Sequence, residues 1–143
     1  MKIVVPLDLS DVAAKAIPPA VQLAKGLGDD LLLVTVSGLR LRGDLQAQAK
    51  SEQVDVVDLI EAYLRSAASD VEGIKAEHSL IRGDDAAEAI VDFVKPDEVR
   101  MIVLATHGRS GLERWRLGSV AERVVRHSPV PVTVIPTRKG NGA

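Results

Sequence analysis

The sequence predicts an α/β fold: a single open five-stranded parallel sheet with helices on both faces. Three observations lead there. Short apolar runs alternate with helical patterns from end to end, as strand and helix do in such folds. Hydrophobic residues make up 46% of the 143 residues but aromatics only 2%, so the core must be built from Val, Leu, Ile and Ala. That composition suits buried parallel strands covered by Ala-rich helices. Finally, no Pro/Ser/Gly-rich linker divides the chain, and its length is that of an ordinary domain, so residues 1–143 read as one domain with one core.

The expected strands are Ile3 to Leu7, Leu31 to Val36, Ile74 to Ile81, Met101 to Ala105 and Val130 to Ile135. Four of them are short and rich in Val, Ile and Leu, as strands buried on both faces are. The third mixes Lys75, Glu77, His78 and Ser79 into its run, which places it nearer a sheet edge.

Helices are read from spacing. Ala87, Ile90, Val91 and Val94 fall at i, i+3, i+4 and i+7, on one face of a helix that Pro96 should end. Val54, Val57, Ile60 and Leu64 form a similar stripe. Val120, Val124 and Val125 mark a shorter helix closed by Pro129. In the first helix Pro18 and Pro19 interrupt the pattern Ala13, Ile17, Ala20, Ala24, Leu27, which predicts a kink, with Gly28 as the C-terminal cap.

In a Rossmann-like open sheet, ligands bind outside the carboxyl ends of the strands where strand order reverses. That rule points to the loops after the first and fourth strands. The fourth runs into Thr106-His107-Gly108-Arg109-Ser110-Gly111, and Gly118-Ser119-Val120 then opens a helix, with nine residues between Gly108 and Gly118. Glycines let a backbone approach a ligand closely, and a helix start supplies unpaired N–H groups and a positive dipole end. These are the ingredients of a phosphate site whose main ligands are backbone amides. The alternative is that Gly108 and Gly111 only turn the chain and Ser119 is an ordinary N-cap. No Gly-Lys-Ser/Thr P-loop occurs. After the first strand, Asp8 is either a turn or capping residue, or an acceptor for a ribose hydroxyl or base. Ser10 is the better-placed N-cap.

Composition excludes several functions. Charged residues make up 27% with a formal net charge of −2, and both signs are interspersed, so nothing supports sequence-independent nucleic-acid binding. With no cysteine there is no thiolate nucleophile or disulfide framework. His78, His107 and His127 lack metal-ligand spacing, and no Gly-x-Ser-x-Gly elbow supplies a hydrolase nucleophile. The strand that begins at Lys2 leaves no room for a secretory signal, and no apolar run has the length of a membrane span. A soluble cytoplasmic protein is the expectation.

Five segments, in order, resemble the universal stress protein family across essentially the whole chain: Pro6 to Ser10, Val34 to Val36, Ala105 to Gly111, Leu117 to Val124, and Ser128 to Val132. The resemblance implies the adenine nucleotide alpha hydrolase-like version of the fold. The ATP-binding branch carries Gly, two residues, Gly, nine residues, then Gly with Ser or Thr. Gly108 matches the second glycine, and Gly118 with Ser119 the last pair, while Ala105 stands in place of the first. The resemblance implies that Asp8 and Val36 contact ribose and adenine, with Pro6 and Leu7 on the same wall, and that Gly108, Gly118, Ser119 and Val120 hold phosphates. His107 and Arg109 either face the triphosphate or lie in solvent. The implied ligand is ATP, with Mg2+. The family resemblance also implies a homodimer, with Val130 to Ile135 as the pairing edge. A regulatory ATP-binding module leads these readings. A slow ATPase and a dimeric scaffold of the branch that lacks the glycine motif are the alternatives.

Overall fold

Strand β1 (Lys2–Pro6) is apolar at every interior position and buries Ile3, Val4 and Val5 completely, which requires cover on both of its faces. The computed structural model describes residues 1–38, 55–107 and 117–137. It supplies that cover through β1, α1 (Asp11–Ala14), α2 (Ile17–Leu27), β2 (Asp30–Ser37), α3 (Val56–Ser69), β3 (Ala76–Arg82), α4 (Ala86–Phe93), β4 (Val99–His107), α5 (Ser119–His127) and β5 (Val132–Thr137). The strands form one parallel sheet in the order β3-β2-β1-β4-β5. The polar third strand is an edge, as its composition predicts.

Alternate residues of each strand face opposite layers. Ile3, Val5, Leu31, Leu33 and Val103 pack with Ala20 and Ala24 of α2 and with Ile60 and Leu64 of α3. Val4, Val34, Ile102 and Leu104 pack with Ala87, Ile90 and Val94 of the α4 segment and with Val124 of α5. Each fully buried Leu, Ile or Val contributes about 1.5–3 kcal/mol, and both layers draw on the same strands. The sheet is thus a rigid platform between two helical layers.

Element ends follow local chemistry. Ser10 caps α1, its hydroxyl accepting the Ala13 N–H at 3.1 Å. The expected kink is a complete break: α1 ends at Ala14, and α2 starts afresh with Pro18 and Pro19 in its first turn. There a missing N–H leaves no helical bond unmade. Gly28 ends α2 at φ 73°, the left-handed conformation that glycine adopts without strain. Asp55 caps α3 through the Val57 N–H at 2.8 Å; Val54, the first residue of the expected stripe, lies outside the described residues. The last strand starts at Val132, not Val130, because the Ser128 hydroxyl accepts from the Val130 N–H at 3.1 Å and donates to its carbonyl at 2.7 Å, closing a turn.

Beside the amino ends of the strands lies an ion pair that the sequence pattern does not announce. The buried carboxylate of Asp29, between α2 and β2, accepts two hydrogen bonds from Arg100 of β4, one from Nε and one from Nη2 at 3.1 Å. The Arg100 hydrogen bonds hold the Asp29 carboxyl below the ordinary carboxylate range, against the opposing effect of burial.

Candidate functional site at the carboxyl edge

Order β3-β2-β1-β4-β5 puts the reversal of winding between β1 and β4, so the loops after these two strands open side by side. Pro6 ends β1 opposite Val34, and the Leu7 N–H continues the ladder to the Val34 carbonyl at 2.7 Å. Leu7 is buried in the layer with α1 to α3. Val36, near the end of β2, is buried on the other layer, beside Ile81 and Leu104. Pro6 and Leu7 thus end one strand and Val36 lies near the end of its neighbour, with Leu7 and Val36 facing opposite layers of the sheet.

Asp8 is exposed, and its Oδ1 accepts the Ser10 N–H at 2.9 Å. The turn reading of Asp8 is thus realised, and it does not free the carboxylate from local duty. Oδ2 forms no hydrogen bond with any described residue. Between Asp8 and Ser10, Leu9 sits at φ 68°, alone among the described non-glycine residues in having positive φ. For a bulky side chain that conformation costs about 1–2 kcal/mol, and strained residues of this kind cluster at ligand sites. Burial, and then the negative charges of Asp8 and Asp11, push the Tyr63 hydroxyl of α3 above the ordinary phenol range.

On β4, Ala105 pairs with Ile135 and packs toward the α1 to α3 layer. Its φ is negative, so no glycine is needed there for the chain to turn. His107 ends β4 opposite Thr137. Gly108 and Arg109 lie outside the described residues. Thr106 is a residue to which sequence reasoning assigns no role. It is 4% exposed and its hydroxyl has no hydrogen-bond partner among the described residues, while its carbonyl accepts from the Thr137 hydroxyl at 2.7 Å. Strand alternation puts Thr106 on the α4 and α5 side, with Ile102 and Leu104. The signal available was its place as the last apolar-facing position before the glycine loop.

Gly118 is the N-cap of α5 and Ser119 its first residue, which corrects the alternative in which Ser119 is the cap. Gly118 has φ −65° and ψ 163°, an extended conformation open to any residue. A Cβ built on it meets nothing within 4 Å. Neither backbone strain nor packing among the described residues therefore calls for glycine. What glycine does do is leave the first amides of α5 without a side-chain cap. Ser119 and Val120 are exposed beside it. The acidic residue of this first turn, Glu122, is paired with Arg126 at 2.7 Å, which offsets its repulsion of an anion. Among the described residues no group of three or more His, Asp or Glu side chains could hold a metal ion.

Sequence comparison decides the affiliation, since the profile of the universal stress protein family matches residues 1–136. The chain belongs to the universal stress protein family. A universal stress protein of Methanocaldococcus jannaschii is 33% identical over 140 residues, spanning 94% of this chain and 81% of the relative. Among solved structures, the universal stress protein from Archaeoglobus fulgidus superposes with a TM-score of 0.70 at 31% identity, covering 94% of this chain and 98% of that one. Another structure of a universal stress protein from that organism, in complex with dAMP, gives a TM-score of 0.67 at 28% identity over 94% and 97% of the two chains. A five-stranded parallel sheet with helices on both faces is thus the universal stress protein architecture in this chain.

One further concavity lies on a helical layer, away from the strand ends. It has a volume of about 540 Å³ between α2 and α3 and is floored by Ile17, Val21, Tyr63, Ala67 and Val71. Its floor is apolar and its charged lining residues, Asp70 and Glu72, are acidic, which disfavours an anion there, unlike at the start of α5.

Proposed function

We propose that this chain is a regulatory adenine-nucleotide-binding module, acting as one unit and taking ATP with Mg2+. The observation that carries the reading is Gly118: a helix start at the carboxyl edge, left without a side-chain cap by a glycine that neither its conformation nor packing among the described residues requires. Four unpaired N–H groups and the positive dipole end suit an anion. The dAMP complex of the Archaeoglobus fulgidus relative supports an adenine nucleotide as the source of that anion. In this reading Pro6, Leu7 and Val36 form the base wall and Asp8 accepts from the ribose. Gly108, Gly118, Ser119 and Val120 hold phosphates, with His107 and Arg109 turned toward them. Ala105 is compatible with it, because its strand conformation needs no glycine. Mg2+ would arrive on the phosphates themselves and keep most of its waters, since no described cluster of side chains offers it a cage.

We propose further that two copies pair through β5. The Pro131 carbonyl accepts from Ile102 of β4, so by strand alternation the main chain of Val132, Val134 and Pro136 points outward. Those groups form a free edge open to a second strand.

Isothermal calorimetry with Mg-ATP tests the nucleotide reading. The expected result is saturable binding in the micromolar range, and no heat of binding at millimolar nucleotide would end it. A chain with Ala105→Gly that binds no better, beside a wild-type chain that binds nothing, would favour the scaffold reading.

A further inference from the structure

Two halves of the proposed site stand on different elements: the base wall at Val36 on β2, and the phosphate-facing start of α5. Something must set the distance between them. Gly118 gives α5 no side-chain cap, and Val124, the buried anchor of α5, lies in its second turn. In the first turn the short, half-buried side chain of Ala121 packs on the same layer, and a polar hold would add direction to that contact.

The N-terminal end of α4 provides one. Asp85 is its N-cap, and Oδ1 accepts the Glu88 N–H at 2.9 Å. Its second oxygen, Oδ2, accepts from Nη1 of Arg123 at 2.8 Å. Arg123 stands one helical turn after Ser119, so it emerges from the opening turns of α5. Ion pairs at the surface are worth little in stability, largely because two long side chains must be ordered to form them. Here the carboxylate is already fixed by its capping bond, so only the arginine pays that entropy. Asp85 is held below the ordinary carboxylate range, by the Arg123 hydrogen bond first and the Glu88 N–H second; Glu88 adds a further negative charge near Arg123.

The same end of α4 touches the base wall. A Cβ on Gly83 would lie 2.8 Å from Cβ of Ala89 and 3.8 Å from Cγ1 of Val36. The chain after β3 therefore runs closely between Val36 and α4. Its register is tied to β2 by the Gly83 N–H bond to the Ser37 carbonyl at 3.0 Å.

We propose that Asp85 is a positioning residue for nucleotide binding: by holding Arg123 it sets the start of α5 relative to α4, and through Gly83 relative to Val36. The proposal rests on the nucleotide-binding reading above. It assigns Asp85 and Arg123 no contact with ligand.

The test is a double-mutant cycle with Asp85→Asn and Arg123→Ala, titrated with Mg-ATP and separately with adenosine. Asparagine keeps the N-cap, so α4 stays intact and the melting temperature shifts by no more than about 2 °C. Each single variant is expected to weaken ATP binding about fivefold, and the double variant no further, as for two residues acting through one contact. Adenosine, which has no phosphate to present to α5, should bind all variants alike, and Arg123→Lys should recover part of the loss. The proposal is overturned if Asp85→Asn binds ATP as tightly as the wild type or more tightly, if the two losses add, or if adenosine falls by the same factor. A wild-type chain that binds no nucleotide overturns the functional reading. Hydrogen exchange on the nucleotide-free protein tests the latch separately. Faster exchange of the Glu122 to Val124 amides in Asp85→Asn supports the latch, and unchanged exchange removes it.

Discussion

Two glycines with open space around them illustrate what a single residue can be for. Among the described residues a Cβ on either Gly28 or Gly118 meets nothing within 4 Å, but Gly28 has φ 73° and Gly118 has φ −65°. Alanine at position 28 must adopt a left-handed conformation, so Gly28→Ala should cost about 1 kcal/mol and lower the melting temperature by about 3–5 °C, with nucleotide affinity unchanged. Alanine at position 118 meets no such penalty. Gly118→Ala, which puts a poorer N-cap residue in place of glycine, should lower the melting temperature by no more than about 3 °C and weaken ATP about tenfold, by crowding the approach to the α5 amides. Thermal melts and calorimetry on the two variants check both halves of the contrast; equal ATP affinity for Gly118→Ala and wild type would remove the main support for the phosphate helix. Asp8 and Leu9 add the point that local geometry can hide in a sequence. The Asp8 carboxylate and the positive φ of Leu9 form one turn, and no residue-type preference predicts a leucine there.

At the scale of elements, the strands and most helix ends were legible because they obey local rules. Runs rich in Val, Ile and Leu became strands, Ser10 became a cap, Gly28 ended α2, and the polar third run became an edge. What escaped were contacts between elements distant in sequence. Asp29 with Arg100, and Asp85 with Arg123, are charges on a turn, a strand and helix ends that read as ordinary surface residues until the fold joins them. The start of β5 escaped for a local reason, since the Ser128 hydroxyl closes a turn over residues that are apolar enough to be strand. The glycine loop was legible as a motif, with Gly108 and Arg109 outside the described residues. The Asp29 contact carries a prediction of its own. Because the folded carboxyl is held below the usual range, its contribution to stability is complete above the unfolded carboxylate value and is lost as pH falls through the lower folded value. Asp29→Asn should therefore destabilise the fold by about 1–2 kcal/mol at neutral pH. The gap between variant and wild type should narrow on acidification below about pH 4. Urea unfolding at pH 7 and pH 3 measures it, and a gap that widens at low pH would contradict the assignment.

For the whole molecule, the two edges of the sheet differ in kind. The β3 edge is half-buried and carries Glu77, which is paired with Lys2 at 3.1 Å across the sheet; charge of this sort discourages a foreign strand. The β5 edge turns the main chain of Val132 and Val134 outward. In the proposed dimer, Val134→Pro deletes one of those outward N–H groups without touching a bond to β4 and should convert dimer to monomer. Sedimentation velocity alongside far-ultraviolet circular dichroism checks it, and a folded dimer in the variant would move the interface elsewhere. Pro136 extends the thought. It already lacks the next outward N–H, so the β5 edge offers a partner two donors and then a stop. A strand arriving there can dock but cannot zip onward, and once a second β5 has docked the only edges left are the charged β3 pair. In the proposed dimer, an open sheet that could polymerise into a ribbon is in this way limited to a closed couple.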